Sequence, residues 1–144
     1  MATYVSRNPA NFTDVVTEVP LATSAEVIAA AQSAHDAQPG WAAVPAPARG
    51  RVIAEVGRLF EANKEALARL VTREMGKVYA EALGDVQEVI DTCDFFIGEG
   101  RRMYGQTVPS EMPDKQLFTF RVPVGTAMIV TAGNFPAAVP SWYI

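Results

Sequence analysis

The chain has 144 residues, with 12 Lys and Arg against 16 Asp and Glu, a net charge of −4 and a pI near 5.0. This balance leaves no basic footprint for nucleic acid. With 49% hydrophobic and 19% charged residues and a mean hydropathy of +0.09, it can bury a core as one domain. No apolar run approaches the ~18 residues of a membrane span, and the first residues lack the apolar centre of a secretory signal. The single cysteine excludes an internal disulfide and fits a reducing, cytoplasmic setting.

In chain order, Asn8-Pro9 and Asn11 are turn formers, and the β-branched residues 12–19 read as a strand closed by Pro20. Thr23 followed three residues later by Glu26 forms a capping box, which predicts a helix over 24–38 that Pro39-Gly40 ends. Residues 41–47, with two prolines, read as a stiff linker. Val52, Val56, Leu59, Phe60, Leu67, Leu70 and Val71 then fall near helical spacing. They predict a helix over 47–75, broken near Asn63 and closed by Gly76.

A third helix over 78–104 carries the apolar stripe Ala82, Val86, Val89, Ile90, Cys93, Phe96 and Ile97. Two strands follow, near 116–122 and 126–131. The second, Thr126-Ala127-Met128-Ile129-Val130, is apolar enough to be buried. The sum is an α/β protein. Residues 132–144 are apolar apart from Asn134 and Ser141. Chain ends are usually polar and solvated, so the expectation is the N-terminal part of a longer polypeptide.

Asn134 leaves the buried strand on a turn. An Asn in such a turn commonly bonds its own backbone. It can also aim its carboxamide N–H₂ at a ligand, which suits a carbonyl oxygen that becomes an oxyanion. Cys93 is the only thiol, but it sits mid-helix near Asp91 and Asp94 with no His close in sequence. That setting favours a packed, inert thiol over a nucleophile. His35 is alone, so neither a metal site nor a triad follows from it. Residues 98–103 begin like a dinucleotide fingerprint but lack the third Gly and a preceding strand. Glu81, Asp85 and Glu88 read as a solvated helix face.

Pro123-Val124-Gly125, the apolar strand, Asn134-Phe135-Pro136 and Trp142 six residues after the Pro form an ordered set. With Asn8-Pro9-Ala10, Trp41, Glu74-Met75-Gly76-Lys77 and Glu81-Ala82, this set resembles the aldehyde dehydrogenase superfamily over nearly the whole chain. Residues 85–94 and 109–113 are most similar to its antiquitin branch, the α-aminoadipic semialdehyde dehydrogenases. The resemblance implies the N-terminal part of that fold, in three portions. Residues 1–105 would be the helical part of the cofactor-binding domain, 106–124 an oligomerisation strand segment, and 125–144 the first strand of a parallel Rossmann-like sheet with its Asn-Phe-Pro turn.

The resemblance further implies NAD- or NADP-dependent oxidation of an aldehyde through a cysteine thioester, by a homo-oligomer. Asn134 matches the oxyanion-hole Asn of that family. Val130, Thr131, Ala132 and Gly133 match positions beside the nicotinamide riboside, with Gly133 in place of a common bulky aromatic. Phe135, Val139 and Trp142 match positions lining the aldehyde tunnel, although side chains of this kind also serve as ordinary core. The nucleophilic Cys, the general-base Glu and the adenosine-binding Lys of the family match nothing in this chain. Two alternatives stay open: an inactive oligomerisation or packing module, and a small α/β protein with another ligand.

Overall fold

The computed structural model describes residues 2–144. It opens on an antiparallel hairpin, β1 (Thr3–Asn8) and β2 (Asn11–Pro20), paired from Thr3↔Pro20 to Asn8↔Asn11. The hairpin turns where Asn8 Oδ1 accepts the Ala10 N–H at 2.9 Å, an Asx turn. Strand β2 was expected from the sequence; β1 was not, because six residues with only Tyr4 and Val5 as large apolar side chains carry little signal without a partner.

Helix α1 (Ser24–Ala43) starts on the expected capping box, with Thr23 Oγ1 accepting the Glu26 N–H at 3.3 Å and Glu26 Oε2 accepting the Thr23 N–H at 2.7 Å. It does not end at Pro39-Gly40 but runs on to Ala43, so most of the expected linker is absent. Pro39 removes one hydrogen bond. Beyond it, the Arg49 guanidinium donates to the carbonyls of Trp41, Ala42 and Val44 at 3.4, 3.3 and 2.9 Å. Carbonyls at a helix end lack the usual intrahelical donors, and of these three only that of Trp41 also accepts a capping N–H, from Val44 at 3.1 Å.

Helices α2 (Ala46–Ala62) and α3 (Lys64–Met75) meet at Asn63, as expected from the break there. Asn63 Nδ2 donates back to the Leu59 carbonyl at 2.8 Å. Helix α3 stops at Gly76 in the left-handed region, φ +77°, where a β-carbon is disfavoured and would also stand 2.8 Å from the Pro9 ring. That contact seats the hairpin turn on the end of α3. The Arg73 guanidinium fastens the same hairpin, with its Nε donating to Asp14 Oδ2 at 2.8 Å.

Helix α4 (Tyr79–Ile97) is the central element. Its Ala82, Val86, Val89, Ile90 and Cys93 are buried, as the stripe predicted. Ala68, Val71, Ala82 and Val86 form the core, with Phe60, Leu67, Met75 and Tyr79 packed around it. Phe96 and Ile97 are instead exposed, and the helix ends at Ile97 rather than continuing to 104. The chain turns at Gly98 into a short 3₁₀ segment, Glu99–Arg101, because Gly100 packs directly on the Ala46 carbonyl at the start of α2. Helix α1 has no buried residue and stands off this core.

A small antiparallel ribbon follows, β3 (Thr107–Val108) with β4 (Leu117–Phe118). The strand expected over 116–122 is reduced to those two residues. Residues 126–131 form no strand; they are exposed and unpaired. A strand exists through ladder hydrogen bonds to a neighbour, and both sheets among the described residues are two-stranded and antiparallel. A parallel strand needs a partner that these residues do not supply. The chain then reaches a final short helix, α5 (Ala138–Ser141), packed on α4. No helix among the described residues is long and apolar enough to cross a membrane.

Candidate functional site

The turn at 133–137 lies over the junction of α3 and α4, and two side chains hold it. Lys77 follows Gly76, so the left-handed stop of α3 sends its side chain towards the turn. Its Nζ donates to the Asn134 backbone carbonyl at 2.8 Å and stands 3.8 Å from the centroid of the Phe135 ring. The second anchor is Asp85 on α4, 1% exposed, whose Oδ1 accepts the Ala138 N–H at 2.9 Å. Its Oδ2 makes no direct hydrogen bond and faces Lys77 Nζ at 3.8 Å.

The side chains of this ion pair are only 9% and 0% exposed. An exposed pair is worth about 0–1 kcal/mol, whereas removing one partner of a buried pair costs about 3–5 kcal/mol, because the other charge is left uncompensated. The Lys77–Asp85 pair is therefore a fixed point of the fold. Asp85 corrects the sequence reading, which placed it on a solvated face. The signal was present: Asp85 lies three residues after Ala82 and four before Val89, inside the buried stripe.

Asn134 itself is exposed. Its backbone is held through the carbonyl by Lys77. Phe135, Val139 and Trp142 ride one short helical path, with the Val139 N–H donating to the Phe135 carbonyl at 3.2 Å and the Trp142 N–H to the Val139 carbonyl at 3.3 Å. They do not converge on one space. Phe135 lies against Lys77. Trp142 lines a cavity of about 320 Å³ with Ile53, Cys93, Phe96, Met103 and Tyr143, which neither Phe135 nor Val139 enters. Val130, Thr131, Ala132 and Gly133 run exposed into the turn, and a β-carbon at Gly133 would meet open space.

Cys93 is buried against Gly57 of α2. Burial pushes its thiol above the ordinary range, and the Asp94 charge adds to the shift. This is the opposite of an activated nucleophile. No cluster of potential metal ligands occurs among the described residues.

The aldehyde dehydrogenase family profile matches residues 2–144. The chain is 39% identical to "Aldehyde dehydrogenase family 7 member A1" of Pisum sativum over 137 residues, which cover 95% of this chain and 27% of that protein. It is 44% identical to the α-aminoadipic semialdehyde dehydrogenase of Mus musculus over 102 residues, 71% of this chain and 19% of the mouse protein. Both relatives lie in the branch that the sequence resembles. Among solved structures, an E. coli enzyme described as NADP-dependent superposes with a TM-score of 0.93 at 35% identity, over 97% of this chain and 29% of that one. The chain spans about a quarter of the length of the curated relatives it matches. With its α/β architecture, its Asn-Phe-Pro turn and these relatives, the chain belongs to the aldehyde dehydrogenase family of oxidoreductases.

Proposed function

We propose that the complete polypeptide carrying this segment oxidises an aldehyde, of the semialdehyde class, to the carboxylic acid with NAD or NADP, and that Asn134 supplies one donor of the oxyanion hole. One observation carries the assignment of Asn134. Lys77, its side chain buried, holds the Asn134 backbone carbonyl, and Asn134 is itself an exposed residue. A donor fixed before the reaction stabilises a developing oxyanion at little reorganisation cost. When a nucleophile adds to the aldehyde carbonyl, the carbonyl oxygen takes the negative charge, and the Asn134 N–H₂ donates to it.

The residues present fit one wall of a nicotinamide site. Residues 130–133 are exposed, and the space beside Gly133 is open enough for a flat ring to rest there. Bound there, the nicotinamide would accept a hydride from the adduct carbon. Phe135, Val139 and Trp142, which follow one another along a short helical path rather than around one cavity here, are proposed to border the aldehyde in the complete polypeptide. Residues 1–105 are proposed as the helical part of the cofactor-binding domain, 106–124 as the segment that reaches another subunit of a homo-oligomer, and 125–144 as the segment that becomes the first core strand and its turn once the complete polypeptide supplies a neighbouring strand. A cytoplasmic setting fits the single buried cysteine.

The test is Asn134→Ala in the complete polypeptide, with propanal and a carboxylate-bearing semialdehyde as probes and NAD or NADP reduction as the readout. The expected result is a kcat lower by about 10²–10³-fold with the melting temperature little changed, the usual loss of one oxyanion donor. Unchanged turnover would remove Asn134 from the site. Absence of aldehyde-dependent reduction in the unmodified protein would instead favour an inactive packing module.

A further inference from the structure

We infer that Lys77 and Asp85 are positioning residues for Asn134: a buried ion pair that clamps the turn from both sides and sets where the carboxamide points. The inference rests on the role proposed for Asn134 and extends it to two residues that touch neither substrate nor cofactor.

The clamp has two arms that reach far along the chain. Lys77 grips the turn at the Asn134 carbonyl, 57 residues away, and Asp85 grips it at the Ala138 N–H, 53 residues away. Between these grips lie only Phe135, Pro136 and Ala137. The two anchors face each other at 3.8 Å, so a shift of either moves both ends of the turn. Lys77 also fills the space against the Phe135 ring, 3.8 Å from its centroid, where a cation is attracted by the ring face.

The anchors sit against the buried core. Asp85 is on the buried face of α4 beside Val86 and Val89, and Lys77 sits directly after the Gly76 stop. Apart from these grips, the turn is held by packing only at its C-terminal end, where Ala137 lies against the core and Ala138 is fully buried. Residues 131–135 are exposed, and the strand-like segment before them has no ladder partner among the described residues. A burial-only role for the pair does not account for both polar grips falling on the backbone of a single turn. Two apolar residues would fill the same space without holding the Asn134 carbonyl or the Ala138 N–H.

The experiment uses the complete polypeptide with Lys77→Met, Asn134→Ala and the double variant, measured for propanal oxidation with NAD or NADP. Hydrogen exchange at the Ala138 and Val139 amides is followed in parallel. Lys77→Met should lower kcat by roughly 10–100-fold, the scale of an ångström-sized misplacement of a reacting group, with KM little changed. It should also speed exchange at both amides while leaving the α4 amides protected. In the Asn134→Ala background, the same Lys77→Met change should have almost no effect on kcat. Lys77→Arg, which keeps the charge and the donor, should restore part of the turnover.

If Lys77→Met lowers kcat by the same factor in both backgrounds, or leaves exchange in the turn unchanged, the inference is overturned. If Lys77→Met does not fold, Asp85→Asn takes its place. It keeps an acceptor for Ala138 but removes the charge facing Lys77, and the same two criteria decide. If Asn134→Ala alone leaves kcat unchanged, the oxyanion reading fails, and the exchange data still decide whether the pair holds the turn.

Discussion

Gly57 and Cys93 meet at the crossing of α2 and α4, where a β-carbon on Gly57 would stand only 2.9 Å from the Cys93 β-carbon. The two helices approach this closely because glycines face α4 at Gly50 and Gly57, two turns apart, and both are buried. At Gly50 the neighbour is the Ile97 carbonyl, 2.7 Å from where a β-carbon would sit.

Gly57→Ala should therefore destabilise the protein, although alanine is the better helix former. Overpacking costs about 1–3 kcal/mol, against about 0.5–1 kcal/mol gained from helix propensity. Thermal unfolding should show a lower melting temperature. Cys93→Ala should not rescue it, because the atom in the way is the β-carbon itself. Gly84 provides the contrast: it lies on exposed α4 surface with open space around it, so Gly84→Ala should raise the melting temperature.

Cys93→Ser should leave turnover of the complete polypeptide nearly unchanged and cost only modest stability. The thiol is 5% exposed, and burial and Asp94 hold it protonated above the usual thiol range. Iodoacetamide should label Cys93 far more slowly in the folded protein than in denaturant, as read by peptide mass mapping. Loss of activity with Cys93→Ser, but not with Asn134→Ala, would reverse the assigned roles.

Asp14 ties β2 to α3, and the hydrogen bond from Arg73, followed by one from Asn8, lowers its carboxyl to about 2. A folded-state value below the unfolded one stabilises the protein above the ordinary carboxyl range and loses that contribution as pH falls. Stability of the wild-type chain should thus decline between pH ~4 and the folded value. Glu26, held low by Thr23, and Glu55, held low by Arg58, act with the same sign. Asp14→Asn should flatten part of that decline and not all of it, measured as urea midpoints across the acid range.

The β3–β4 ribbon exposes Leu117 and Phe118, and Phe120 just beyond it is 80% exposed. A two-residue ribbon is marginal alone, and an apolar sheet edge invites pairing with another chain. Sedimentation should show a dimer or larger assembly, and Phe120→Glu should shift it towards monomer. A soluble wild-type monomer at high concentration would count against the assembly.

Local interactions were legible in the sequence: the Thr23–Glu26 capping box, the break at Asn63, the Gly76 stop and the buried stripe of α4. Each depends on residues three or four apart, or on one residue's own backbone preference, so the spacing alone determines it. The ordered motifs around Asn134 likewise placed the chain in its family. What the tertiary structure decided was which distant groups share a space. It continued α1 past Pro39 through Arg49, ended α4 at the Gly100–Ala46 contact, and left 126–131 without a partner. It also buried Asp85 against Lys77 beneath the Asn134 turn. The α4 stripe marks Asp85 as buried, but no local spacing records that Lys77 and the Ala138 N–H meet its carboxylate in place of water.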